Sequence, residues 1–196
     1  MVLKNYTAVG KLKIPDSMKF PGKSTAFSRF LVLASSLYLL LYLLYQFVVK
    51  KYTWYDQKFI GQIIAGAEWL LHRMGYATFK VLQDLDMQVI GIDGSNGVWI
   101  GSNCNAITLF TLFSVFIIAY PGQQKAKWWF IPAGIVAIHL LNILRVVGLA
   151  VLSLKAPEYL DFNHTYTFTI IIYGFIFYLW MLWINRFSHA EEPSQH

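Results

Sequence analysis

Apolar residues in this chain gather into four long runs, at residues 30–49, 103–121, 129–154 and 165–184, separated by short polar stretches. Each run predicts a helix near the roughly 20 residues that cross a bilayer. The second reaches that length by starting at a Ser102–Asn103 cap, and the third is long enough to tilt. A fifth pattern, over residues 57–75, differs in kind. Ile60, Ile63, Ile64, Ala67, Leu70, Leu71 and Met74 recur at helical spacing, with Glu68, His72 and Arg73 on the remaining surface. This amphipathic helix is expected to lie on the membrane or pack against the bundle. If it spanned instead, the segment after it would change sides. Glu68 and His72, four residues apart, read as a solvated interfacial pair. From Val89 to Ile100 apolar residues alternate around Asp93-Gly-Ser-Asn-Gly97, which predicts a short hairpin.

Composition agrees with that pattern. The chain is 57% hydrophobic and 13% charged, with mean hydropathy +0.48, more apolar surface than 196 residues of soluble domain can bury. The expected class is an all-α integral membrane protein. Its bundle would hold about four transmembrane helices, with the amphipathic helix as an interfacial or fifth spanning element and the hairpin at the outer face. The expected organisation is a basic cytoplasmic arm at 1–29, one membrane domain at 30–185 and a polar tail at 186–196. The first run ends in Phe-Val-Val-Lys-Lys with no small-residue cleavage site and so reads as an anchor, not a removable signal.

The formal charge of +6 is not a nucleic-acid footprint, because the basic residues flank apolar runs where they set orientation and meet lipid headgroups. The basic arm, Lys125 and Lys127 between the second and third runs, and the tail from Arg186 are expected on the cytoplasmic face of the membrane. Cys104 and His164 would then face the periplasm or exterior. A single cysteine forms no intrachain disulfide and carries no compartment signal.

That cysteine, Cys104, stands at the lip of the second run in Gly-Ser-Asn-Cys-Asn-Ala. A lone cysteine is more often packing than chemistry. Here, a Ser102 or Asn103 cap would place the thiol in the first helical turn, where free N–H groups and the helix dipole favour a thiolate. The same amides, with Asn103 or Asn105, could hold an oxyanion. Arg145 is the only charge inside the four runs, and an intramembrane charge reads first as function. Asn142, one turn earlier, is its nearest structural partner by spacing. His164 opens the last run beside Asp161, where an interfacial role is the commoner one. His139 reads as a helix-packing residue. Counting spans puts Cys104, the C-terminal half of the third run and His164 in one leaflet whatever the orientation. Arg145, about 14 Å below its end of the third run, should face the bundle interior.

Asn-Cys104-Asn-Ala-Ile at the start of one span, Asn142-Ile-Leu-Arg145-Val-Val in the next and His164 opening the last together resemble the exosortase/archaeosortase family over roughly Gly91 to Trp183. They look most like its short variants from Bacteroidetes-type bacteria. The resemblance implies a membrane-embedded cysteine protease or transpeptidase that cleaves the C-terminal sorting tail of exported proteins. Cys104 would be the nucleophile, and Arg145 and His164 the other members of the triad. The flanks of the cysteine depart from the Ala-Cys-Ser-Gly run frequent in that family, which bears on substrate choice more than on reaction type.

The residues carry no cysteine-histidine cluster with metal-ligand spacing, so no metal or organic cofactor is expected. Expected partners are the sorting tail and the lipid bilayer, with room for a dedicated membrane partner. Two readings of other classes stand beside the enzyme: a non-catalytic subunit of an export or surface-assembly complex, and a small transporter using Arg145 and His139 as a polar path. The paired charges or broken helices that mark transporters are not evident.

Overall fold

A computed structural model describes residues 23–49, 53–84, 87–101 and 106–187. Helix α1 (Lys23–Leu44) begins inside the predicted basic arm, and a π-helical turn carries it on over Tyr45–Val49. Helix α2 (Thr53–Arg73) follows, then strands β1 (Thr78–Asp84), β2 (Met87–Ile92) and β3 (Val98–Gly101). The remainder is helical: α3 (Ile107–Ala119), α4 (Gln124–Lys155), a 3-10 turn at Pro157–Tyr159, the short α5 (Leu160–Phe162), a π-helical turn at Asn163–Thr167, and α6 (Phe168–Phe187).

Among the described residues, three helical segments are long and apolar enough to cross a membrane: Ser28–Phe47, Gln124–Lys155 and Pro157–Phe187. The expected second span reduces to α3, whose 13 residues reach only about 20 Å at helical rise, short of the ~30 Å apolar core of a bilayer. The outward faces of the long helices carry Leu31, Val32, Leu39 and Leu40 on α1, Val136, Leu140 and Leu144 on α4, and Ile170, Phe177 and Tyr178 on α6, all exposed. A surface so apolar is compatible with lipid contact.

The sheet corrects the all-α expectation. It is antiparallel in the order β1-β2-β3. The hairpin is β2–β3, with Gly94 (φ 90°) and Gly97 (φ 72°) supplying the left-handed backbone its turn requires. Strand β1 went unforeseen because its inward positions are polar. Register places Thr78 opposite Ile92 and Lys80 opposite Ile90, on the core-facing side. There Thr78 Oγ1 lies 2.9 Å from His72 Nε2, and Lys80 Nζ is 2.7 Å from Glu68 Oε2. Glu68 and His72 therefore pin β1 to α2 rather than pairing with each other. On the other face the Phe79 ring lies against Gly91, where a Cβ would collide with it.

The core divides into two clusters that α4 joins. In one, the stripe of α2 (Ile60, Ile63, Ile64, Ala67, Leu71) packs on Ile90, Ile92, Val98 and Ile100 of the sheet and on Val146, Val147, Leu149 and Ala150 of α4. The expectation that residues 57–75 pack against the bundle matches this contact, although Met74, at its end, is exposed. In the other, α3, the first half of α4 and α6 from Ile172 onward bury Phe113, Ile117, Phe130, Ile138, Ile176 and Trp183. Gly134 of α4 admits the Phe113 ring so closely that a Cβ would overlap it. Gly134→Ala should therefore cost about 1–3 kcal/mol by overpacking, read as a lowered midpoint in detergent unfolding. An unchanged midpoint would mean α3 is free to move away.

Contacts also place the charges. Phe30 meets Phe116 and Tyr120, with centroids 5.5 Å apart in each pair, and Gln123 N–H donates to Phe187 O at 3.2 Å. The start of α1, the ends of α3 and α6 and the start of α4 thus share one end, with Arg29, Lys125, Lys127 and Arg186. The sheet, the end of α4 and the turn before α6 form the other, where Glu68, Asp93, Glu158 and Asp161 lie among the basic Arg73, Lys80 and Lys155. Helix α4 begins at Gln124, five residues before the expected span, so Lys125 and Lys127 belong to its first turn.

Candidate functional site

Asn142, Arg145 and Gly148 follow each other at three-residue spacing and share one face of α4. The lack of a side chain at Gly148 lets α6 approach, since a Cβ there would lie 2.8 Å from Cζ of Phe168. Phe168 is about one turn after His164, so the two share a side of that helical stretch. The Arg145 guanidinium and the Asp161 carboxylate, of opposite sign, both act electrostatically on the His164 imidazole. The π-helical turn that carries His164 is preceded by a 3-10 turn, and Asn163 Nδ2 donates to Tyr159 O at 2.9 Å across that junction.

Arg145 does not lie flat toward lipid. Its Nε is buried and has no hydrogen-bond acceptor among the described residues. Asn142 is only 1% exposed. A buried guanidinium nitrogen without an acceptor is costly unless something compensates it. The unsatisfied donor therefore marks the site as the place where a developing negative charge or a carbonyl oxygen would gain most. His139 packs against α3, its ring centroid 6.4 Å from that of Phe110, in keeping with a packing role.

The sheet forms the roof at this end. Ser153 Oγ donates to Gly97 O at 3.3 Å, and Leu154 reaches Gly94, which ties the hairpin turn to the last turn of α4. From Gly101 at the end of β3 the chain enters Ser102, Asn103, Cys104 and Asn105, which lie outside the described residues. The expected nucleophile and its two asparagine supports therefore have no described geometry. The chain resumes at Ala106, buried and at φ 62°, the only non-glycine residue with positive φ among the described residues. A left-handed alanine costs about 1–2 kcal/mol, and such strain concentrates at functional segments. Ala106 is the N-cap of α3, with no side-chain cap bond; the expected Ser102–Asn103 cap lies outside the described residues.

Two features were missed in the sequence. Asp161 was read only as acidic surroundings, although Asp-x-x-His spacing on a helical turn is the signal for a carboxylate beside the imidazole. Gly148 gave no signal, because its role depends on which residue of α6 it meets. Among the described residues no three His, Cys, Asp or Glu side chains converge as a metal site would need. Comparison with protein-family models, curated proteins and solved structures yields no match.

Proposed function

We propose that this chain is a multi-pass protein of the bacterial inner membrane that acts as an exosortase-like cysteine protease or transpeptidase on C-terminal sorting tails. The observation that carries the proposal is the arginine at Arg145, buried at Nε and unsatisfied there among the described residues, on a helix whose Gly148 meets Phe168, four residues after His164. The resemblance of the Asn-Cys-Asn-Ala, Asn-Ile-Leu-Arg and His164 segments to that family supports it independently. The basic residues in the sequence ahead of the first apolar run, with Lys125, Lys127 and Arg186, favour the opposite end as cytoplasmic and the Arg145–His164 end as external.

In this reading the Cys104 thiolate attacks the scissile carbonyl, forming a C–S bond. Arg145 N–H groups hold the oxyanion of the tetrahedral adduct. As the C–N bond breaks, the His164 imidazolium gives its proton to the leaving amine, and Asp161 steadies the charged ring. An acyl thioester remains. Water, or an amine or hydroxyl acceptor, then attacks it and loses a proton to His164, and as the C–S bond breaks the acyl group leaves and the thiolate and imidazolium are restored. The test is the membrane proteome of cells carrying Cys104→Ala in place of the wild-type gene. Proteins ending in a short shared motif, an apolar helix and a basic tail should accumulate uncleaved. Normal cleavage of all such proteins would favour the non-catalytic subunit instead.

A further inference from the structure

Lys127 in the first turn of α4 is only 8% exposed. Its Nζ donates to Ile118 O and Tyr120 O, both at 3.0 Å. These carbonyls close α3, where the helix dipole favours a cation. The bonds use two of the three ammonium donors. The same side chain lines a cleft of about 400 Å³ whose other walls are Ile118, Gln124, Trp128, Ile131 and Pro132. The cleft therefore joins a mostly apolar floor to one desolvated cation and one side-chain amide, beside the first turn of α4.

The surroundings narrow the occupant. Trp128, on the rim, is 84% exposed, and Trp129 is exposed beside it. Indoles at that density next to lysines mark the headgroup level of a membrane helix. The described charged residues at this end are all basic: Arg29, Lys125, Lys127 and Arg186. A basic peptide tail would be repelled, and a fully apolar occupant would leave the third lysine donor unused. Phosphate on top of hydrocarbon satisfies both parts of the cleft.

We propose that this cleft holds the phosphate of an anionic phospholipid of the adjoining leaflet, with an acyl chain over Ile118, Ile131 and Pro132. The inference rests on the membrane reading but not on the cysteine chemistry. Lys127 then has two roles, closing α3 and ordering one lipid at the α3–α4 corner.

The test is native mass spectrometry of the full chain in detergent, titrated separately with phosphatidylglycerol, phosphatidylcholine and inorganic phosphate. One phosphatidylglycerol should be retained in preference to phosphatidylcholine, and inorganic phosphate should not compete with it. Gln124→Glu sets a carboxylate at the cleft mouth while favouring the start of α4, so the fold is kept. It should weaken phosphatidylglycerol binding about tenfold through like-charge opposition. Lys127→Met should abolish retention. Unchanged phosphatidylglycerol affinity in Gln124→Glu would overturn the proposal, as would equal binding of phosphatidylcholine or competition by inorganic phosphate. Release of the protein from membranes by alkaline carbonate would overturn the membrane reading itself, a result separable from loss of one lipid.

Discussion

Replacing Cys104 by alanine or by serine should leave the protein inserted and folded but stop cleavage of its precursor. The alanine result follows from loss of the nucleophile. The serine result follows because a hydroxyl near neutral pH lacks the ionisation and nucleophilicity of a thiol. Cys104 lies outside the described residues. In the proposed mechanism His164 and Arg145 act on the thiol and the adduct it forms, so their variants should be correspondingly severe. His164→Ala should slow cleavage about 10²- to 10⁴-fold, the usual range for a lost general acid-base group. Arg145→Lys should fail as well, since lysine keeps the charge but not the planar fork that can bind one oxygen through two N–H groups. Asp161→Asn should slow cleavage less than His164→Ala, because it acts on the ring and not on the substrate. The measurement is the rate of precursor conversion in membranes with matched expression. Wild-type rates in Cys104→Ala would remove the cysteine mechanism.

Why some of this was legible in the sequence and some was not comes down to the range of the interactions involved. Periodicity is local, so α1, α4 and the apolar stripe of α2 could be read within a few residues of their ends. The hairpin turn was readable because glycines at Gly94 and Gly97 supply a backbone conformation that other residues adopt with strain. Strand β1 was not, because its inward Thr78 and Lys80 are matched to His72 and Glu68 on another element. The start of α3 at Ile107 was not readable either, because an alanine gives no local signal for the left-handed backbone that Ala106 adopts there. At the site, Arg145 and His164 could be assigned to one leaflet by counting spans. The meeting of Gly148 with Phe168, near both of them in sequence, is a long-range pairing that no local pattern encodes. Lys127 shows the opposite case. It was counted as an orientation charge, and it also closes α3 through two carbonyls.

Trp183→Ala should produce the largest loss of stability of any single substitution in the basic-end cluster. Trp183 is fully buried, and its ring centroid lies 5.2 Å from both Phe130 and Phe187, so it joins α4 to α6. In a lipid-facing bundle the hydrocarbon outside is as apolar as the core, and helices associate mainly through packing. The transfer part of a large-to-small substitution is therefore reduced, while the cavity part remains. The expected cost is about 3 kcal/mol, at the low end of the range for losing a buried aromatic side chain. That is still a large share of a typical folding free energy of roughly 5–15 kcal/mol. Trp183→Phe should cost only about 1 kcal/mol, because the indole N–H is buried without an acceptor among the described residues and its removal breaks no hydrogen bond there. Trp128→Ala, at an exposed position, should stay within about 0.5 kcal/mol. Reversible unfolding in mixed detergent micelles would rank the three. A Trp183→Ala loss no larger than that of Trp128→Ala would show that this aromatic cluster does not hold α4 and α6 together, and that their junction depends instead on the Gly148–Phe168 contact near Arg145.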